Sequence, residues 1–266
     1  MLPFELTYPG HFLDHPGAPQ VDVDKAQILF HVLDSHLADA ALALRLFEHE
    51  RATRRLIGAG GREPEDVYQQ RREMELERES QVVPGLPPEE RWAAHERIRF
   101  EVEVFLKRER WVAGEIPEAH LSRAIFLYAH AFLYALDGIG KTLTALGSAA
   151  WVPAAVTTAR DEFYCNLPTL TDVRDTSHHL EDRARELDRR GQALALKPVL
   201  NRAISAPGGA LILNNLNGSR FGSTIGDGSF AEVDVSVESL DFARSAIQTC
   251  IDAFTWRPSK HHVPYR

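Results

Sequence analysis

A long apolar stripe near the N-terminus constrains the fold more than any other feature of the sequence. Between Ala26 and about Arg55, apolar residues recur at intervals of three and four, as on one face of an α-helix. The stripe consists of Ile28, Leu29, Val32, Leu33, Leu37, Ala40, Ala41, Leu44 and Phe47. A helix of this length has to bury its stripe against other elements, so the stripe predicts a helical bundle. Gly58 to Gly61 are expected to end the helix.

Further segments carry the same helical spacing. Helices are predicted at Glu63–Gln81, Glu89–Arg110, Glu118–Ala145, Ala154–Leu167, Thr169–Arg190 and Glu238–Thr255. The first of these is poor in apolar residues and is expected to be exposed. The expected buried residues of the others include Trp92, Ile98, Val102, Phe105, Leu106, Leu121, Ile125, Leu127, Phe132, Leu133, Leu136, Leu240 and Phe242.

The pattern changes to that of β-strands near the C-terminus. Strands are predicted at Ala210–Asn215, Ser219–Ile225 and Phe230–Val237, with Ala193–Leu196 as a candidate fourth strand. Asn217-Gly218 between two of them is a strong hairpin signal, because both central turn residues must take positive φ. We therefore expect a mainly α fold, a helical bundle with a three-stranded antiparallel β-meander at about 210–237, in one domain over residues 1–266.

Composition and charge narrow the class of protein. Apolar residues make up 44% and charged residues 26% of the chain, the balance of a globular protein. The most apolar stretch, Ala124–Leu136, is interrupted by His130 and is too short for a bilayer, so no membrane partner is expected. The lack of a signal-peptide pattern at the N-terminus predicts a cytoplasmic protein. Cys165 and Cys250 are expected to be buried apolar residues.

The segment Val173–Arg183 holds the densest group of side chains suited to catalysis. On a continuous helix Arg174, His178 and Asp182 share one stripe, and Asp175, His179 and Arg183 share the stripe beside it. A carboxylate can orient an imidazole, and a guanidinium can hold a phosphate through paired hydrogen bonds. This combination is typical of phosphodiester chemistry.

The residues Arg174-Asp175-Thr176-Ser177-His178-His179 resemble the R-x4-H motif of the HEPN superfamily of helical-bundle proteins, with a polar residue directly after the arginine. The resemblance implies a metal-independent endoribonuclease without a cofactor, in which the motifs of two protomers of a homodimer face each other. His179 would be the general acid/base and Arg174 the phosphate-holding group in attack by an RNA 2′-hydroxyl. Asp175, His178 and Asp182 would support these two catalytic residues.

Two alternatives to catalysis on RNA stay open. In the first, the chain is a non-catalytic structural or interaction module, and the Arg174/His179 helix is a polar core network. The net charge of −8 favours this alternative, because it opposes binding of nucleic acid. The second is a metal-dependent hydrolase of helical-bundle type.

Other histidines are expected to have structural or surface roles. His31, Asp34 and His36 could offer metal ligands from the first helix, but they match no known ligand spacing, so a solvated or partly buried role is favoured. His261 and His262 are expected in an exposed tail.

Overall fold

The structure, a computed structural model, describes residues 4–57, 65–188 and 190–264, with the backbone alone for residues 54–57. The predicted end of the first helix at Gly58–Gly61 lies outside these ranges. The helices are α1 Gln20–Ile57, α2 Glu65–Val82, α3 Pro88–Val112, α4 Glu118–Leu146, α5 Ala154–Asn166, α6 Leu170–His178, α7 Leu180–Ala184 and α8 Val237–Ala253, with a 3-10 turn at Val83–Gly85. The prediction of a mainly α fold is confirmed.

Short strands complete the described structure. They are β1 Leu6–Tyr8, β2 Phe12–Leu13, β3 Val199–Leu200, β4 Ser205–Ala206, β5 Asn215–Asn217, β6 Arg220–Thr224, β7 Phe230–Asp234, β8 Trp256–Arg257 and β9 His261–Val263. All of their pairings are antiparallel. None of the helices in the described ranges is long and apolar enough to span a membrane.

The chain divides into two compact units, and the prediction of one domain over residues 1–266 stays a prediction. The larger unit, Met1–Arg51 with Ile125–Arg266, contains the main core. Side chains of α1, α4, α5, α6, α8 and the meander meet in this core; its largest members include Phe30, Phe47, Phe132, Phe163 and Phe221. Leu127 was expected to be buried here but is 64% exposed, and Phe242 and Cys165 are exposed as well.

The smaller unit spans Ala52–Ala124 and contains α2 and α3. Its small core consists of Ile98, Val102 and Leu106, with Met74 and Val83 packed against it. Trp92, Phe105 and Leu121 were predicted to be buried but are exposed. Helix α2 has few apolar residues, so the three core residues of α3 are enough to cover them.

The β-meander has the predicted strand order β5-β6-β7 but a shorter first strand than predicted. Residues 210–214 are irregular because buried side chains of β6 take the place of strand hydrogen bonds. Thr224 Oγ1 accepts from the backbone N–H of Ile212 at 2.9 Å and donates to the carbonyl of Ala210 at 3.1 Å. Ser223 Oγ accepts from the N–H of Asn214 at 3.0 Å. The prediction of a strand over Ala210–Asn215 is therefore wrong except at its last residue.

The candidate fourth strand at Ala193–Leu196 is not formed. Ala193 makes one isolated bridge with Leu187, and the segment then runs over the turn between β6 and β7. Lys197 donates its backbone N–H to the carbonyl of Gly228 at 2.9 Å, and its Nζ lies 2.6 Å from Asp227 Oδ2. The Lys197 ammonium and the Ser229 hydroxyl hold the pKa of Asp227 far below its usual value.

The two ends of the described chain pair with each other. Strand β1 pairs with β9 in a register that places Tyr8 opposite His261, and β2 pairs with β8. The described N-terminal residues are therefore held by strand pairing with the C-terminal ones. His261 is half-buried in this pairing, so its expected place in an exposed tail is wrong.

Gly228 and Gly218 provide a matched test of the contact between residues 195–197 and the meander. Both have positive φ, +83° and +67°, but a Cβ on Gly228 would lie 1.9 Å from the carbonyl oxygen of Ala195, whereas a Cβ on Gly218 would meet nothing within 4 Å. We expect Gly218→Ala to lower the free energy of unfolding by about 1–2 kcal/mol through backbone strain alone. Gly228→Ala should cost clearly more in urea denaturation, since the backbone of residue 195 has to move. Equal losses would contradict this packing.

Candidate functional site

The predicted catalytic arginine lies in a group of four charged side chains that joins α4 to α6, here named the Asp137 network. Asp137 Oδ2 contacts Arg174 Nη2 at 2.7 Å and Lys141 Nζ at 2.9 Å. Arg174 Nη1 lies 2.8 Å from Asp175 Oδ1. The guanidinium therefore has a carboxylate on each of its terminal nitrogens.

The Asp137 network is neutral in sum and largely shielded from water. Arg174 is 8% and Asp137 3% exposed, whereas the side chain of Lys141 reaches solvent. The charges of its two cations and two carboxylates sum to zero. This balance matters because an uncompensated buried charge carries a large desolvation cost. The network thus satisfies the charge of Arg174 within the protein.

Tyr134 of α4 and His178 of α6 continue this group towards solvent. Their rings pack edge to face with centroids 5.7 Å apart. Partial burial raises the pKa of the Tyr134 phenol; the positive charges of Arg174 and Lys141 oppose this rise, and the carboxylates of Asp137 and Asp175 add to it. Tyr134 thus lies within the electrostatic reach of the whole Asp137 network.

The helix breaks at His179, which separates the two predicted catalytic residues. His179 has φ −120° and ψ 45°, between the end of α6 and the start of α7. The prediction of one helix over Thr169–Arg190 is therefore wrong, and the two stripes of site residues do not form. The side chain of His179 is 54% exposed, with Nδ1 3.7 Å from Glu181 Oε1. Its ring centroid lies 5.5 Å from that of His178, which is also exposed.

The residues after the break have separate partners. Arg183, expected beside His179, is fully buried and donates a hydrogen bond from Nη1 to the carbonyl of Leu187. This inward turn of Arg183 accounts for the shortness of α7. Asp182 Oδ1 lies 2.5 Å from Arg185 Nη2. The structure therefore brings Arg174 and Asp175 into contact and His178 near them, while His179 and Asp182 lie in a different group.

That second group has the geometry of potential metal ligands. Ligand atoms of His179, Glu181 and Asp182 all lie within 4.8 Å of one another, and in the described parts of the chain no other three His, Cys, Asp or Glu residues do so. Two of the three are exposed, and Asp182 is already paired with Arg185. The prediction that the chain uses no metal and no cofactor stays a prediction.

An apolar groove of about 460 Å³ lies between α1 and α4, next to Tyr134. Its α4 side is lined by Tyr128, Ala131, Tyr134 and Ala135, and its α1 side by Leu42, Ala43 and Leu46 together with the polar residues His36 and Asp39. Leu42 is 60% exposed. Beside the groove the His36 ring of α1 lies over Gly138 of α4, whose Cβ position is 2.7 Å from that ring. A side chain at residue 138 would therefore require the His36 ring to move.

The structure contains a second pocket, which the sequence did not predict. It has a volume of about 60 Å³ and is lined by residues of both chain ends and of α1, among them Tyr8, His11, His31, Asp34, Trp256 and His261. Tyr8 Oη donates to Asp34 Oδ1 at 2.6 Å. We name it the Asp34 pocket.

One part of the Asp34 pocket was visible in the sequence. His31 and Asp34 are three residues apart on one helix, a spacing that places both on the same face. Tyr8, His11 and His261 reach them only through the pairing of β1 with β9, which joins residues more than 250 positions apart. Short-range patterns carry no signal for such a pairing.

Substitution of Arg174 and His179 tests whether the Asp137 network is structural. We expect Arg174→Ala to lower the free energy of unfolding by about 3 kcal/mol, because it leaves Asp137 buried with Lys141 as its remaining cation. His179→Ala, at an exposed side chain, should change it by no more than about 0.5 kcal/mol. Urea denaturation followed by circular dichroism measures both. A neutral Arg174→Ala would mean that the ion pair with Asp137 does not hold α6 in place.

The candidate site thus consists of the neutral Asp137 network, the exposed residues His178 and His179 at the end of α6, and the apolar groove between α1 and α4. The Asp34 pocket is a separate concave site. No family model, no curated protein and no solved structure matches this chain.

Proposed function

We propose that this chain is a non-catalytic interaction module that forms a homodimer through the groove between α1 and α4. In this proposal the Arg174 helix is a polar core network that holds one wall of the groove in place. The single observation that carries it is the apolar groove itself, because grooves rimmed by exposed large apolar side chains mark interaction sites.

The exposed apolar residues around the groove are periodic rather than scattered. Leu42 and Leu46 of α1 lie one turn apart, and Leu127, Ala131 and Tyr134 of α4 are spaced by four and three. Each helix therefore presents an apolar stripe to solvent in addition to the stripe that it buries in the core. Covering such leucines would gain about 1.5–3 kcal/mol each, which is a driving force for association.

A second copy of the chain is the occupant that the groove fits best. Helices pack by placing the ridges of one surface into the grooves of the other. This surface has both parts, since Leu42 and Leu46 of α1 and Tyr134 of α4 stand beside the small residues Ala43 and Ala131. A two-fold axis through the groove would place the ridges of each copy against the small residues of its partner.

The Asp137 network supports the groove through Tyr134. This tyrosine lines the groove and also packs against His178, the last residue of α6. Because Arg174 ties α6 to α4 at Asp137, the position of His178 against Tyr134 is fixed. The network thereby positions one wall of the groove without contacting a ligand.

The charge of the site favours this function over phosphate binding. Both terminal nitrogens of Arg174 already have carboxylate partners, and the chain carries a net charge of −8. A phosphate would have to displace Asp137 or Asp175 and would meet a negative molecule.

A metal-independent endoribonuclease of HEPN type is the second candidate, and one observation favours it. His178 and His179 are both exposed with ring centroids 5.5 Å apart, so one imidazole could accept the proton of an RNA 2′-hydroxyl while the other protonates the leaving oxygen. His179 and Arg174 are the catalytic residues in this candidate, with Asp175, His178 and Asp182 in support.

Association is tested with Ala131→Glu, which places a carboxylate on the floor of the groove. We expect sedimentation equilibrium to give a dimer for the unsubstituted chain and a monomer for Ala131→Glu, because the buried charge would have no partner. Ala93→Glu is the matched control, an exposed alanine of α3 outside the groove, and should leave the dimer intact. A monomeric chain, or a dimer unaffected by Ala131→Glu, would refute this interface.

Ribonuclease activity is tested on single-stranded RNA in the presence of EDTA. If the chain is non-catalytic, it should cleave no faster than the double variant His178→Ala/His179→Ala prepared in the same way. His120→Ala, at an exposed histidine of α4, is the control. Cleavage that is lost in His179→Ala but kept in His120→Ala would refute our proposal and support the second candidate.

A further inference from the structure

The Asp34 pocket contains a carboxylate that pairs with no lysine or arginine of the described residues. Asp34 is half-buried on α1, and its Oδ1 accepts a hydrogen bond from Tyr8 Oη at 2.6 Å. No lysine or arginine of the described ranges lies within ion-pair distance of it. Burial raises the pKa of this carboxyl, although the Tyr8 hydrogen bond and the His31 charge oppose the rise. A half-buried anion in a cavity is a group that a cation would stabilise.

The walls of the Asp34 pocket are aromatic. The Tyr8 and Trp256 rings pack edge to face at 5.1 Å, and the Phe30 and Trp256 rings at 5.1 Å. Trp256 is held by a hydrogen bond from Nε1 to the carbonyl of Ile251 at 2.8 Å. Aromatic rings attract cations through their negative faces, so such walls suit a ligand with a positive charge.

His261 does not supply that charge. The rings of His11 and His261 are stacked in parallel with centroids 4.2 Å apart, and His261 is stacked on Tyr8. Burial, together with the nearby charges of His11 and His31, lowers the pKa of His261, so this imidazole is neutral at pH 7. Within the stack, a second protonated ring would be repelled by the first.

The cavity is small but larger than a water site. Its volume of about 60 Å³ exceeds the roughly 10–15 Å³ that one water molecule requires. A ligand of a few heavy atoms fits, whereas a nucleotide or a folded partner does not. The tip of a charged amine has this size.

We propose that the Asp34 pocket binds a small primary ammonium ion, with its charge against the Asp34 carboxylate and its carbon against the rings of Tyr8, Phe30 and Trp256. The ammonium group donates a hydrogen bond to Asp34, which is stronger than a bond between neutral groups.

A divalent metal ion is the competing occupant, because imidazoles and carboxylates are also metal ligands. The geometry disfavours it. In the described parts of the chain, the ligand atoms that converge within 4.8 Å belong to His179, Glu181 and Asp182, not to the Asp34 pocket. The face-to-face stack of His11 and His261 does not direct both rings at one point.

Binding is tested by titrating the full chain with methylammonium chloride and following the indole N–H resonance of Trp256 by NMR. We expect a saturable shift, and no such shift with methanol, which has nearly the same size but no charge. Asp34→Asn should weaken binding by about tenfold or more, since it removes the charged acceptor. Asp66→Asn, the same substitution at an exposed position of α2 that lines neither the Asp34 pocket nor the groove, should bind as the unsubstituted chain does.

Several results would overturn the proposal. These are an absent or non-saturable shift with methylammonium, an equal shift with methanol, and unchanged binding by Asp34→Asn. Saturation of the same resonance by zinc chloride, abolished in His261→Ala while methylammonium has no effect, would assign the pocket to a metal instead.

The stability of Asp34→Asn gives a readout that needs no ligand. The raised pKa means that the folded state holds the Asp34 proton more tightly than the unfolded chain does. Ionisation of Asp34 therefore lowers the free energy of unfolding at pH values above the folded pKa. Well below pH 3.8 the carboxyl is protonated in both states and this loss disappears. The asparagine keeps an oxygen that can accept from Tyr8. Without ligand, Asp34→Asn should therefore melt at a higher temperature at pH 7, and the gain should vanish as the pH falls through the carboxyl range.

Comparison of the two chains at each pH removes the contribution of groups that do not interact with Asp34, and leaves that of Asp34 with the titratable groups that face it. These are His31 on the same helix, Tyr8 of β1, His11 between β1 and β2, and His261 of β9. A lower melting temperature for Asp34→Asn at pH 7 would mean that the ionised carboxylate already has its partner within the protein, and the proposed ligand would have no role.

Discussion

The contact between Asp137 of α4 and Arg174 of α6 is the interaction on which the functional region depends. Helix α6 has nine residues and is too short to be stable without tertiary contacts. Val173 gives it an apolar contact in the core, and the 2.7 Å ion pair fixes its position along α4. Because both charged groups are buried, neither can be left alone without a large cost. The pair therefore determines where His178 meets Tyr134.

This arrangement gives α4 two roles. Its inner side packs Phe132, Leu136 and Ile139 into the core, while its outer side presents Leu127, Ala131 and Tyr134 to solvent. Asp137 and Lys141, which form an ion pair, follow on the same helix. A helix with apolar residues on both sides belongs in a larger assembly. The homodimer that we propose supplies the missing cover, whereas the ribonuclease alternative depends on the exposed imidazole of His179 together with Arg174, whose terminal nitrogens already have carboxylate partners.

Periodicity predicted most of the fold and only part of the site. The helices α3, α4, α5 and α8 begin and end within a few residues of their predicted bounds, and α1 begins at Gln20 rather than Ala26. A hairpin forms at Gly218 as predicted, but Asn217 pairs with Arg220 and, of the two predicted turn residues, Gly218 alone takes positive φ. Periodicity could not tell which side of α4 is buried, because apolar residues lie all around the helix. For this reason Leu127 was wrongly predicted to be buried. The break at His179 has no signal in the helical spacing, which continues through Arg183, a residue that the structure buries and bonds to the carbonyl of Leu187. The Asp34 pocket depends on pairing between the chain ends, and the sequence separation of Tyr8 and His261 places that contact beyond any short motif.

The central claim is that the Arg174 guanidinium serves Asp137 and Asp175 rather than a phosphate. The most direct measurement is the 15N–1H NMR spectrum of the Arg174 side chain while a uridine dinucleotide with a non-cleavable phosphate is added. Hindered rotation in the ion pairs should give resolved Nη resonances whose positions do not change during the titration. Nη resonances that shift and saturate with the dinucleotide, and that no longer do so in His179→Ala, would contradict the claim and restore Arg174 as a phosphate-binding residue.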